Sequence, residues 1–424
     1  MMRRINGVSV TSETGRLRRV LINRPGDELA LVRPPRNGSE EMLFDDAVWL
    51  EQAQFEHCEY LKVLHAFGTE IVAFSDLLVE SLEDNAKRQG LVDQIRQLHQ
   101  ACQLNHLDSD HSRRLLSIDQ QTLAVTLISG KNPKTNEVFF DPLPNITFTR
   151  DIGAVVHSAI IDCSAAKKAR MRESLLWRFI RSNHPEFSEI PSVFSVDQTI
   201  PNNQCTIEGG DIIVVNPETI LIGSGERTTI NTALEVAKNL LRAGEIKQVI
   251  VVRIPKERSS MHLDTLFSII SRNECIVYPP MISKKGGSKF SAFIIGNDHE
   301  CNLAALEAEK PLMILDALQQ VGIALCPILC GGNDEINQDR EQWTDGANVF
   351  PLQQGVIVSY QRNTHTLKGL QGVGYRTISA REFYTTPTFW LRNEKKIVIT
   401  IEDFELSRGR GGPRCLTFPL NRAS

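Results

Sequence analysis

From Asn145 to Ile401 the chain keeps one rhythm: short apolar runs of strand character, turns between them, and single helical segments at intervals. Ala154-Val-Val is followed by Ala159-Ile-Ile, and a helix is predicted near 165–180. Asp211-Ile-Ile-Val-Val, Thr219-Ile-Leu-Ile and Gln248-Val-Ile-Val-Val-Arg253 predict strands, with a helix near 228–242. Similar units recur through Cys275-Ile-Val-Tyr, the helical stretch 311–321, Gly355-Val-Ile-Val-Ser and Lys396-Ile-Val-Ile-Thr-Ile401. Short strands bounded by turn residues and alternating with helices predict an α/β fold. No clean sequence repeat accompanies the rhythm, yet a structural repeat of strand-strand-helix-strand modules fits it.

The first part of the chain adds two features. Residues 16–24 alternate and stop at Pro25-Gly26, which predicts a strand and a turn. A helix is predicted over 44–67, with Leu50, Ala53, Phe55, Tyr60, Leu61 and Leu64 as its apolar stripe, and a strand follows at 69–74. From 77 to 128 strand signals fade, Pro is absent, and Leu, Gln, Arg, Asp and His recur at helical spacing. This divides the chain into a main α/β domain, 1–76 with 136–424, and a helical insertion, 77–135.

Composition excludes several classes of function. With 47 basic and 51 acidic residues the net charge is −4, which argues against a strongly basic nucleic-acid binder and against attraction to anionic membranes. No apolar run approaches the roughly 20 residues of a membrane-spanning helix. Met1-Met2-Arg3-Arg4 is not followed by the apolar core of a signal peptide. The nine cysteines are scattered, and the nearest pair, Cys326 and Cys330, lacks zinc-ribbon spacing. A reducing, cytoplasmic setting is the expectation.

Residues able to do chemistry gather in short clusters: Asn145 with Phe148-Thr149-Arg150-Asp151, Glu208-Gly209-Gly210-Asp211, His262-Leu263-Asp264, and the glycine-rich loop ending in Cys415. In a strand, His262 and Asp264 would share a face. On its own, His-x-Asp reads equally as a surface His and a turn Asp, and a metal site would need further ligands. The glycines of Glu-Gly-Gly-Asp fit either a positive-φ turn or the close approach of another group. A cysteine beside an arginine can be a stabilised thiolate or an inert buried thiol. Arg408-Gly-Arg-Gly-Gly suggests RNA contact only weakly in an acidic chain with 6% aromatics.

As a set the clusters supply what attack on a guanidinium requires. The group is flat, charged and presents five donors in a fork. Among three acids, Asp151, Glu208 and Asp264, two carboxylates can hold it edge-on and leave its carbon open to a thiolate. A histidine can then protonate the leaving amine.

In their order along the chain these motifs resemble those of the arginine deiminases, within the guanidine-modifying superfamily. The similarity runs almost from end to end. It includes Ser12-Glu13-x-Gly15-x-Leu17, Val20-Leu21-Ile22-Asn23-Arg24-Pro25-Gly26, Leu43-Phe44-Asp45-Asp46 and Phe148-Thr149-Arg150-Asp151. It continues through Ala169-Arg170-x-Arg172-Glu173, Glu208-Gly-Gly-Asp211, Glu226-Arg227-Thr228 and His262-Leu263-Asp264-Thr265. Arg362-Asn363-Thr364 and Arg410-Gly-Gly-Pro-Arg-Cys415 complete it. Leu416 stands where the family more usually has Met, and the residue at Arg414 varies.

The resemblance implies a five-bladed α/β propeller (the pentein fold) of pseudo-fivefold strand-strand-helix-strand modules, with a helical insertion domain. It implies hydrolysis of L-arginine to L-citrulline and ammonia, without metal or organic cofactor, in a homo-oligomer (dimer or tetramer). Cys415 would be the nucleophile that forms an amidino-thioether. His262, supported by Glu208, would be acid and then base. Asp151 and Asp264 would clamp the guanidinium. Asn145, Arg170 and Arg227 fall where the family places groups for the carboxylate and amino ends of arginine, and Arg410 where it has a mobile arginine near the substrate. Phe148 would line the channel and Asp211 orient the clamp. Rival activities are amidino transfer, hydrolysis of dimethylarginine, and arginine sensing without turnover.

Overall fold

A computed structural model describes residues 7–32, 44, 46–104, 107–195, 205–283, 289–296, 302–308 and 310–423. Leu43 and Asp45 of the quoted motifs lie outside the described residues. The described strands form five sheets, and the rhythm of the sequence reappears inside each. Gly153–Val156 and Ala159–Asp162 pair antiparallel, and Ser192–Phe194, reached through the helix Met171–Asn183, adds in parallel. Ile212–Asn216 and Thr219–Ser224 pair antiparallel, and Gln248–Arg253 adds in parallel after the helix Ile230–Ala243. Phe267–Ile269, Glu274–Val277 and Cys326–Leu329 repeat that order, as do Phe350–Gln353, Val356–Tyr360 and Ile397–Ile401. In the remaining sheet the last strand, Phe418–Arg422, runs antiparallel to the first, Leu17–Ile22, which is parallel to Glu70–Ala73. The central strands are buried on both faces, which explains their unbroken Val and Ile runs.

The helix predicted over 44–67 is shorter, Leu50–Phe67, and stops where Gly68 takes φ 88°. Its buried face is Ala53, Glu56, His57, Tyr60, Val63, Leu64 and Phe67, while Phe55 of the expected stripe is 51% exposed. Buried Glu56 and Tyr60 displace Phe55 because they reach the C-terminal loop: Glu56 accepts the amides of Glu405 and Leu406, and the Tyr60 hydroxyl donates to Pro413 O at 3.0 Å. Between 74 and 129 the helices are Phe74–Ser81, Asn85–Cys102, Ser109–Ser117 and Gln120–Ser129. The last three are capped by Asp84, Asp108 and Asp119, whose carboxylates accept first-turn amides at 2.7–3.0 Å. Leu91, Ile95, Leu98, Leu123 and Leu127 join the same apolar core as Ile160, Trp177 and Phe418. No described helix is long and apolar enough to cross a membrane.

Candidate active site

Each predicted cluster occupies the turn just before an edge strand that pairs antiparallel with its neighbour. Asn145, Phe148 and Asp151 lie in or between the 3-10 turns Pro144–Thr147 and Thr149–Ile152, ahead of Gly153–Val156. Glu208 and Asp211 flank Gly209-Gly210 ahead of Ile212–Asn216. His262 precedes the 3-10 turn Leu263–Thr265, ahead of Phe267–Ile269, so the expected strand at His262–Asp264 is a turn instead. Cys415 lies in the turn before Phe418–Arg422.

The glycines serve close approach, and Gly209 and Gly210 do not take positive φ. A Cβ on Gly209 would lie 2.1 Å from Arg150 O, and one on Gly210 would lie 2.7 Å from the His262 ring. Likewise Gly409 and Gly411 press on the Phe148 ring, where a Cβ would come within 2.6 and 2.4 Å. The loop suggested for RNA is thus internal: Arg410 is buried, and its guanidinium carbon lies 3.4 Å from the Trp343 ring centroid.

One buried network joins His262, Glu208, Asp151, Arg170 and Arg227. His262 Nε2 is 2.8 Å from Glu208 Oε2, and its Nδ1 is 3.8 Å from Asp151 Oδ1. Arg170 Nη1 donates to Asp151 Oδ2 at 2.8 Å and to Glu208 Oε2 at 3.4 Å, while its Nε and Nη2 hold Glu173. Arg170 was expected to receive an end of the substrate. It is instead fully buried and committed to three carboxylates of the chain. Arg227 Nη1 stands 3.7 Å from Glu208 Oε1 without a hydrogen bond, and Asn145 Nδ2 is buried without one. Asp211 accepts from Leu263 N at 2.8 Å and from Thr228 Oγ1 at 2.6 Å, which fixes the turn between His262 and Asp264.

A second network surrounds the thiol. Cys415 Sγ lies 3.9 Å from Asp264 Oδ2, and the same oxygen accepts from Arg414 Nη1 at 2.7 Å. Arg414 also forms a fork with Glu13, at 3.1 and 3.2 Å, and donates to Ile212 O. Neither Glu13 nor Arg414 was assigned a role from sequence, although both stand inside quoted motifs.

The electrostatics follow from burial and these partners. Burial pushes the Cys415 thiol well above its ordinary range, and the charges of Asp264, Asp151 and Asp345 add to this against the pull of Arg414. Burial also opposes the charge on Glu208, but Arg227, the His262 hydrogen bond and Arg170 hold it well below the usual carboxylate range. Burial would discharge His262, yet the Asp151 charge and the Glu208 hydrogen bond win and raise it to about 9. Asp151, Glu208 and His262 offer ligand atoms within 4.8 Å of one another, a grouping able to hold a metal ion. Arg170 and Arg227 already bring two cations against it, which works against a third.

Two comparisons decide the family. Residues 40–422 match the family model for arginine deiminase. The chain is 32% identical to the arginine deiminase of Listeria innocua serovar 6a, over 99% of each chain, and 33% identical to that of Bacillus cereus strain B4264, over 98% of each. The chain belongs to the arginine deiminase family. It is an enzyme that acts on the guanidino group of arginine. Solved structures share the mixed α/β fold at low identity. SxtG, an amidinotransferase from Microseira wollei, has a TM-score of 0.54 at 10% identity over 98% of each chain. The N-terminal domain of the cyanobacterial arginine dihydrolase ArgZ scores 0.51 at 12% identity over 96% of this chain and 98% of the other.

Proposed function

We propose that this arginine deiminase hydrolyses L-arginine to L-citrulline and ammonia through a covalent intermediate on Cys415. One observation carries the reading. Asp151 and Asp264 each give one oxygen to an internal arginine and keep the other, Oδ1, buried without a hydrogen bond. A buried orphan acceptor is costly. Two of them beside the Cys415 turn fit a guanidinium that arrives with its donors.

The arriving cation also supplies what the thiol lacks. Burial keeps the Cys415 thiol protonated, and the charges of Asp264, Asp151 and Asp345 add to it. A guanidinium between Asp151 and Asp264 neutralises two of these charges, so the thiol releases its proton to solvent and the thiolate remains. Sγ then attacks the central carbon, and His262, charged at neutral pH, gives its proton to the departing ammonia. Neutral His262 next takes a proton from water, whose hydroxide attacks the amidino-thioether. The carbon–sulfur bond breaks, and citrulline and the thiolate remain. Glu208 keeps the imidazole charged and oriented, and Arg170 fixes Asp151. Arg227 and the Asn145 amide receive the amino-acid end of the substrate, and Arg410 stands near the substrate. Asp211 orients the clamp turn, and Phe148, wedged between glycines, shapes the wall.

Amidino transfer, dimethylarginine hydrolysis and arginine sensing are disfavoured, because the relatives matched end to end at a third identity are deiminases. The paired strands and their crossover helices support five modules around one axis, with 77–135 inserted between 1–76 and 136–424. The eight described cysteines are free thiols, in keeping with the cytoplasm. A dimer or tetramer rests on the resemblance alone, and sedimentation velocity tests it. The function is tested by incubating the purified protein with L-arginine, with and without EDTA, beside Cys415→Ala. Equal citrulline and ammonia, indifferent to EDTA and absent from the variant, is the expected result. No citrulline from the wild type would overturn it.

A further inference from the structure

Of the turns that precede these antiparallel edge strands, the one before Phe350–Gln353 contributed nothing to the predicted site. It holds Asn348, fully buried, two residues before the strand. Asn348 Oδ1 accepts the amide of Cys415 at 3.2 Å and that of Arg414 at 3.2 Å. Asn348 Nδ2 donates to the main-chain oxygen of Asp264 at 3.1 Å. One side chain therefore ties the nucleophile's backbone to the backbone of the clamp carboxylate that its sulfur must face. The tie has little freedom to relax. A Cβ on Gly412 would lie 2.7 Å from both the main-chain and side-chain oxygens of Asn348, so the two segments are in contact. The turn is itself constrained, with Asn348 N on Asp345 O at 3.0 Å and Asp345 at φ 61°.

We infer that Asn348 is a positioning residue for catalysis, setting the distance and angle between Cys415 and the guanidinium held by Asp264. The inference rests on the deiminase reading above. Asn348 does not touch the substrate in this account. It acts through Cys415 and Asp264, on the near-attack geometry in which a shift of about 1 Å costs roughly 100-fold in rate. An asparagine fits where neighbouring turns carry acids. It supplies an acceptor and a donor together, and it adds no further negative charge beside a thiol already held protonated.

The test compares wild type, Asn348→Ala and Asn348→Ser in citrulline production, with thermal unfolding as a check on the fold. The serine hydroxyl can accept one amide at most. The expected order of kcat is Asn above Ser above Ala, with a loss on the order of 100-fold for Ala and KM changed less than about threefold. In a Cys415→Ala background, adding Asn348→Ala should change the calorimetric affinity for arginine by less than about threefold, since binding is spared. A folded Ala variant with wild-type kcat would overturn the inference. So would a loss lying wholly in KM, or one matched by the fraction unfolded. Should the wild type itself make no citrulline, the deiminase reading fails and the inference falls with it, an outcome distinct from a fully active Ala variant, which overturns the inference alone.

Discussion

Replacing Arg414 by Met should reveal how much the nucleophile's surroundings lean on one buried cation. Arg414 is 1% exposed; its removal takes the forked partner from Glu13, to which only the more distant charges of Arg150 and Arg422 remain, and the ion-pair partner from Asp264. Burial opposes the charge on Glu13, yet Arg414 above all holds its pKa at about 2 against an ordinary 4.5. A depressed carboxylate contributes stability that is fully present above its unfolded pKa and lost as pH falls through the folded one. The window is therefore from about 4.5 down to about 2. A shift of that size corresponds to about 3 kcal/mol at neutral pH, the lower edge of what breaking a buried pair costs. With unfolding entropy near 2 cal/mol/K per residue, a chain of this length should lose about 3 °C in Tm.

Scanning fluorimetry at pH 7 and at pH 4 checks both the size and the sign. The gap between wild type and Arg414→Met should be largest at pH 7 and narrower in acid, where Glu13 of the variant binds a proton. The thiol gives a second readout. Arg414 draws the Cys415 pKa down against three carboxylates, so alkylation of Cys415 by iodoacetamide at pH 8 should slow in the variant. An unchanged Tm at pH 7, or a gap that widens in acid, would refute the assignment of Arg414 as the counter-ion of Glu13.

Other perturbations separate the remaining roles. His262 is raised to about 9, so kcat should fall as pH rises through that value, and Glu208→Gln should move the alkaline limb lower. The stability His262 contributes is correspondingly full below 6.5 and lost as pH rises through about 9, which urea titrations at pH 6 and pH 10 will show. Arg227→Met should raise KM for arginine by roughly 10- to 100-fold, the worth of a charged hydrogen bond, and change the KM for agmatine, which lacks the carboxylate, far less, while any loss of kcat through Glu208 is shared by both substrates. Gly209→Ala would set a methyl 2.1 Å from Arg150 O and should destabilise by about 1–3 kcal/mol or more, read as a lower Tm with little folded enzyme.

The order of strands and helices was legible in the sequence because central strands buried on both faces must be continuously apolar, as Gln248–Arg253 and Ile397–Ile401 are. Boundaries were less so. Phe55 was placed inside because periodicity sees hydrophobicity, and it does not see that Glu56 is needed to cap the amides of residues 405 and 406. The reacting groups were found as separate clusters, but which carboxylate belonged to which cation was not. Arg170 was given to the substrate on the resemblance alone, because nothing local in the sequence signals that Asp151, Glu208 and Glu173 converge on it. Asn348 was passed over for a related reason. An asparagine before a strand is commonplace, and only the contact with Cys415 and Asp264 sets it apart.

The distribution of charge also answers a difficulty peculiar to an enzyme that attacks guanidinium groups. Its site holds guanidinium groups of its own, Arg170 and Arg414, on the same carboxylates proposed to clamp the substrate. Each is pinned on one oxygen of its carboxylate: Arg170 on Asp151 Oδ2, with Glu173 as a further partner, and Arg414 on Asp264 Oδ2, with Glu13 as a further partner. The other oxygen of each carboxylate, Oδ1, is buried without a hydrogen bond. These internal arginines keep Asp151 and Asp264 fixed in orientation inside a buried site. The remaining negative charge attracts a cationic substrate, and it adds to the burial that keeps the Cys415 thiol protonated. On the proposed mechanism a guanidinium that neutralises Asp151 and Asp264 eases formation of the thiolate, which couples substrate binding to activation of the nucleophile.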